Sequence, residues 1–201
     1  REVLSASNET NNLSGNKSAQ ITTALFTSVP ALSPIIHLDR STLSLTRNYI
    51  NNDSTNEDGI SGGNAQTRYI TKTVTLAEGQ DAEDLKAYVA AYKPSSATIE
   101  VYYKILNDSD EGPIEQRTWT QMTQSTSTAT NSSDLNLNDF KEFEFTVPSA
   151  KLTGSGGEVQ YDANGVTYTG FKRFAIKIVL LTSNPANPPR LKDFRAIALQ
   201  I

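Results

Sequence analysis

Few side chains in this sequence can carry out covalent chemistry. Cysteine is absent from all 201 residues, which removes thiolate nucleophiles, zinc–thiolate sites, iron–sulfur clusters and disulfide frameworks together. The single histidine, His37, has no Gly-x-Ser-x-Gly elbow to partner it, so it reads as a lone packed or surface side chain. Carboxylates are plentiful at 22, but glycoside hydrolysis needs two of them facing across a cleft roughly 5–9.5 Å apart, one with a raised pKa. Glu142 and Glu144 share one face of a strand, and that face is opposite the core, so no pair is nominated. The stretch Asn107-Asp108-Ser109-Asp110-Glu111-Gly112 opens like a calcium loop, yet its twelfth position, which must supply a bidentate carboxylate, is Thr118. It reads as a solvated loop. Gly154-Ser155-Gly156-Gly157 lacks the Lys-Ser/Thr tail of a phosphate-binding loop. The expectation is a protein that is not an enzyme, with no catalytic residue, no metal and no cofactor.

Binding chemistry is better represented. Tyr88 and Tyr102, with Tyr92 nearby, fall on the outward faces of two alternating segments. Aromatic faces rimmed by Lys86, Glu100 and Lys104 could stack on sugar rings and grip their hydroxyls. Tyr88, Tyr92 and Tyr102 are therefore the candidate carbohydrate-binding residues, against the plainer reading that they pack under a loop or a neighbouring subunit.

The elements that must position these tyrosines alternate with period two. Leu85, Ala87, Val89 and Ala91 alternate with Lys86, Tyr88, Ala90 and Tyr92, and Ile99, Val101, Tyr103 and Ile105 form a matching row after Lys93-Pro94-Ser95-Ser96. Pairing Val89 with Val101 predicts a β-hairpin whose outward pairs are Tyr88–Tyr102 and Lys86–Lys104. Further strands are predicted at Tyr69–Leu76, Thr118–Met122, Phe143–Val147 and Phe174–Leu180, and a hairpin at Glu158–Tyr168 turns on Asn164-Gly165. Leu191–Ile201 is apolar on both faces, so it is expected to be central or covered by a partner. Ile21–Val29, Ile35–Leu38 and Leu43–Ile50 read as N-terminal strands, and the glycine-bearing stretch 51–66 as a mobile loop. No segment shows a sustained helical period. The expected fold is an all-β, antiparallel, jelly-roll-like β-sandwich with long polar loops. Its expected parts are an extended arm over 1–20, N-terminal strands and a long loop over 21–66, and the sandwich over 67–201, with 21–201 as one domain the alternative.

Composition narrows the partners. A net charge of −4 argues against a nucleic-acid partner, since phosphate-binding surfaces are basic. No run of about 18 apolar residues offers a membrane-spanning helix, so no membrane insertion is expected. A chain that begins at Arg1 and stops inside an apolar alternation is expected to be a piece of a longer or processed polypeptide.

One set of strings resembles a known family. Thr67-Arg68-Tyr69-Ile70-Thr71-Lys72, Val74-Thr75-Leu76-Ala77-Glu78-Gly79 and Asp81-Ala82-Glu83-Asp84-Leu85-Lys86 lead into Ala91-Tyr92-Lys93-Pro94 and Ile99-Glu100-Val101-Tyr102-Tyr103-Lys104. Phe140-Lys141-Glu142-Phe143, Phe174-Ala175-Ile176-Lys177-Ile178 and the run from Pro189 to Ala198 follow. Together, over roughly residues 67–201, these resemble large virion structural proteins of tailed bacteriophages, cyanophage myoviruses in particular. The resemblance implies a tail, baseplate or tail-fibre component located in the virion, assembling with other virion proteins as a homo-oligomer or as a module of a longer chain. The alternative it leaves is a host-adhesion module that binds a host glycan. It transfers no catalytic residue.

Overall fold

The computed structural model describes residues 22–40, 48–125, 131–153 and 157–201. Among them, twelve strands form three antiparallel sheets, and the only helical elements are three-residue 3-10 turns. Sheet I orders β1 (Thr67–Ile70), β11 (Arg173–Thr182), β4 (Ala97–Leu106) and β5 (Thr120–Gln121), with β2 (Val74–Thr75) prolonging the β1 edge along β11. Sheet II orders β12 (Arg190–Leu199), β3 (Asp84–Tyr92), β7 (Lys141–Thr146) and β6 (Thr123–Gln124). A small third sheet of β10 (Val166–Thr169), β9 (Glu158–Ala163) and β8 (Leu152–Thr153) plugs one end, where Val159 is fully buried and its N–H donates to the Glu83 carbonyl. The β9–β10 hairpin turns where expected, on Asn164 and Gly165, both with positive φ as a two-residue turn of this type demands.

The fold is the expected antiparallel β-sandwich. Its core is the inner row Ile99, Val101, Tyr103 and Ile105 of β4 with Phe174, Ile176 and Ile178 of β11, packed on Leu85, Ala87, Val89 and Ala91 of β3 and on Phe143 and Phe145 of β7. Ala87 of β3 lies opposite Phe145 of β7 and Val89 opposite Phe143, so small residues sit beside large ones in the interior.

The predicted hairpin is wrong. β3 pairs with β12 and β7, whereas β4 pairs with β11 and β5, so the two strands lie in different sheets. The loop Lys93–Ser96 carries the chain across the sandwich. The two inner rows do face each other, but through the core rather than side by side. The outward rows consequently point in opposite directions.

Other expectations change as well. No strand forms in residues 22–40, where strands were expected at Ile21–Val29 and Ile35–Leu38. The arm 1–20 and most of Leu43–Ile50 lie outside the described residues, as do 154–156 of the Gly-rich stretch. The last strand, β12, is an edge strand and not a central one. A bulge between Leu191 and Asp193 resets its phase so that Leu191, Phe194, Ala196 and Ala198 all pack inward. The strand apolar on both faces is β11.

The segment 120–124 closes one flank of the sandwich by passing from β5 to β6, with Met122 buried between them and its N–H on the Val101 carbonyl. The opposite flank is bounded by the two edges β1 and β12.

Candidate functional site

The stretch 51–66, expected to be mobile, is a strap bound to the outer face of sheet I. It buries a second small core of Ala65, Tyr102, Trp119, Ala175, Val179 and Leu181. Its anchor is an ion pair. Lys177, on the outward row of β11, is fully buried and donates to Glu57 Oε2 at 2.9 Å and to the Glu57 carbonyl. Glu57 is equally buried; its Oε1 accepts the Ala65 N–H at 2.9 Å and lies 3.9 Å from the Arg68 guanidinium. The Lys177 ammonium also sits over the rings of Tyr102 and Trp119, at 4.6 and 5.0 Å. Burial pulls the Lys177 pKa below the ordinary lysine value, and the bond and charge of Glu57 oppose that. Lys104 braces the far side, donating to the carbonyls of Ile60 and Glu115 over Trp119. With every charge engaged inside the fold, this cluster is a fastener with no vacancy for a ligand.

The three candidate tyrosines are not brought together. Tyr102 lies beneath the strap on sheet I, with its hydroxyl on Glu100 Oε2 at 2.7 Å; burial first, then that bond, push its pKa well up. Tyr92 is fully buried at the end of β3, its hydroxyl on Asn187. Tyr88 alone reaches solvent, and it does so on sheet II, the opposite outer face. There it lies between Arg195 of β12 and Glu144 of β7, donating to Glu144 at 3.1 Å beneath the Arg195 guanidinium. Arg195–Glu142 and Lys86–Glu144 pairs complete a charged lattice. The tyrosines thus offer no common stacking platform.

The acidic loop 107–112 is held from within. Asp110 accepts from Arg117 Nε and Nη2, the Gly112 N–H and the Tyr161 hydroxyl. Burial works to raise its pKa, but those four donors and the Arg117 charge outweigh it and leave the carboxyl below its ordinary value. Beside it is a polar cavity of about 130 Å³ lined by Lys104, Arg117, Lys151, Tyr161 and Asp162, among others. Small-molecule pockets usually measure about 300–1,000 Å³, and two of this cavity's cations are already committed to Asp110 and to backbone carbonyls. Among the described residues no group of three or more His, Asp or Glu side chains could hold a metal.

The surface without internal explanation is on the open flank. β1 pairs only with β11, and no described residue pairs with its outer edge. Registers opposite Ile178 and Phe174 turn Tyr69 and Val74 toward the interior, yet they are 51% and 42% exposed, and no strand among the described residues closes the sandwich there. Ile70, on the outer side, is 52% exposed. A strand unbroken over Tyr69–Leu76 would put Ile70 and Val74 on one face; the break at Thr71–Thr73, where the Thr71 hydroxyl accepts the Ile176 N–H, shifts the phase. The N-terminal segment 22–38 is a second exposed apolar stretch: Leu25, Phe26, Leu32, Ile35 and Leu38 are all exposed, Phe26 by 86%. The chain enters the fold at Tyr49, whose carbonyl accepts the Thr67 hydroxyl at the first residue of β1.

No protein-family model, curated protein or solved structure compared with the chain matches it.

Proposed function

We propose that the chain is a non-catalytic structural module acting through protein–protein contacts within a larger assembly, the tail, baseplate or fibre of a tailed-phage virion being the setting its sequence resembles. The observation that carries this reading is the segment 22–38, whose large apolar side chains are solvated, together with an outer edge of β1 that no described residue pairs. Contiguous exposed apolar surface of this kind marks contact sites in soluble proteins. The internal polar groups agree with it. The buried charges fasten the strap and the acidic loop, which suits a rigid part. The glycan-binding alternative has no platform on Tyr88, Tyr92 and Tyr102.

The test is direct. Gradient-purified particles of the virus encoding the chain should contain it at a fixed stoichiometry by quantitative mass spectrometry, and antibodies to it should label one substructure by electron microscopy. Its absence from purified particles refutes the reading.

A further inference from the structure

We propose that residues 22–29 of one copy add as a strand to the free edge of β1 in a second copy. The proposal takes the assembly reading as its setting and names the partner. The first support is the acceptor. In an antiparallel pair, alternate residues direct both backbone groups to the same side. The Thr71 N–H bonds to the Ile176 carbonyl, so Thr71 and Tyr69 face β11 while Arg68 and Ile70 present their N–H and C=O to the open side. An unpaired edge with exposed apolar side chains is a template for another chain. The other long free edge, β12, is guarded by its bulge and by Arg190, Lys192, Asp193 and Arg195. β1 is guarded far less, since Arg68 is drawn toward Glu57 and only Lys72 in the break carries another charge.

The second support is the donor. Thr22-Thr23-Ala24-Leu25-Phe26-Thr27-Ser28-Val29 carries no charge and no proline, and Pro30 ends it. In extended form Leu25 and Val29 share one face about 13 Å apart. That face would fill the open interior beside Tyr69 and Val74, while Phe26 covers Ile70 on the outer side. Strand addition of this kind draws affinity from main-chain bonds and specificity from alternate side chains. Within one chain the donor leaves its own edge uncovered: Leu25, Phe26 and Val29 are exposed, and so are Tyr69, Ile70 and Val74. Donor and acceptor are different surfaces, so the contact is head-to-tail and can propagate or close into a ring.

The experiment uses the full chain in three forms: unaltered, a donor variant (Leu25→Asp with Val29→Asp) and an acceptor variant (Ile70→Pro). The acceptor change deletes an outward N–H and leaves the β11 ladder alone; Tyr69→Asp replaces it if circular dichroism shows that Ile70→Pro misfolds. Analytical ultracentrifugation should show concentration-dependent association of the unaltered chain. Each variant alone should be weakened about tenfold or more, as expected on removing a contact anchor. An equimolar mixture of donor and acceptor variants should stop at a one-to-one pair, because each retains one working surface. An unaltered chain that stays monomeric overturns the proposal, as does association that survives in both variants. Recovery from virions without self-association leaves the assembly reading standing and removes this one. Self-association of a chain absent from virions does the reverse.

Discussion

Replacing Lys177 with Met should destabilise the protein more than any exposed ion-pair change. The Lys177 ammonium is 2.9 Å from Glu57 Oε2 with both side chains fully buried. At an effective dielectric of about 20 that separation corresponds to roughly 6 kcal/mol of attraction, which offsets the cost of taking both charges out of water. Methionine fills the space but leaves the Glu57 carboxylate with the Ala65 N–H and an Arg68 guanidinium at 3.9 Å. Removing one partner of a buried pair costs about 3–5 kcal/mol, and the nearby Arg68 places this case at the lower end, near 3. For a chain of this length that is a fall in Tm of about 6–12 °C. The second arm is Lys177→Met with Glu57→Gln. Glutamine keeps an oxygen for the Ala65 N–H and leaves no fully buried charge, Arg68 being partly exposed, so the double variant should lose only about 1 kcal/mol, the worth of the missing hydrogen bonds. The double change is therefore expected to be milder than the single one. Urea unfolding followed by Trp119 fluorescence is the assay, since the sole tryptophan packs 5.0 Å from the Lys177 ammonium and reports on the strap itself. A loss below about 1 kcal/mol for Lys177→Met, or a double variant as damaged as the single, refutes the view that this pair fastens the strap.

Three further outcomes are expected. The folded-state pKa of Asp110 is depressed below the ordinary carboxylate value, so its stabilising contribution is complete above that value and disappears as pH falls through the lower one. The gap in urea midpoint between the unaltered chain and Asp110→Asn should accordingly be wide at pH 7 and shrink near pH 3; a gap unchanged by acid contradicts this. Tyr102, Tyr103 and Tyr161 are held protonated chiefly by burial, Tyr103 up to about 12. Stability should be intact below pH 10 and decline as the pH rises through the folded values, with at least three of the eight tyrosines ionising late in an ultraviolet titration. Within the strap, Gly63 passes so close to residues 55–57 that an added Cβ would meet the Glu57 N and Thr55 O atoms at 2.5 Å. Gly63→Ala should cost about 1–3 kcal/mol and raise hydrogen exchange across 54–65 before the sandwich opens, whereas a neutral substitution counts against a tightly seated strap.

Much of the fold was legible in local pattern. Period-two alternation identified the inward rows of β3 and β4 and the strands β7 and β11, and Asn164-Gly165 marked its hairpin because few other residues tolerate two positive φ angles in succession. The missing cysteines and the lone histidine removed whole classes of chemistry before any coordinates. Alternation states which side of a strand is apolar. It does not state whether the matching row is a lateral neighbour or lies across the core, so β3 and β4 were read as a hairpin when they face each other between sheets. That error placed Tyr88 and Tyr102 on one surface. A sign of the true arrangement was present in β11, where Ala175, Val179 and Leu181 occupy the row reserved for solvent and imply a cover. Nothing local could supply the cover's identity, because Glu57 and Lys177 are 120 positions apart and each alone is an ordinary surface charge. The sequence by itself determined an all-β chain with apolar inner rows and little catalytic material. Tertiary structure decided which strands are neighbours, which charges are buried as a pair, and that no described residue pairs with the outer edge of β1, since these depend on contacts between distant segments that no local period encodes.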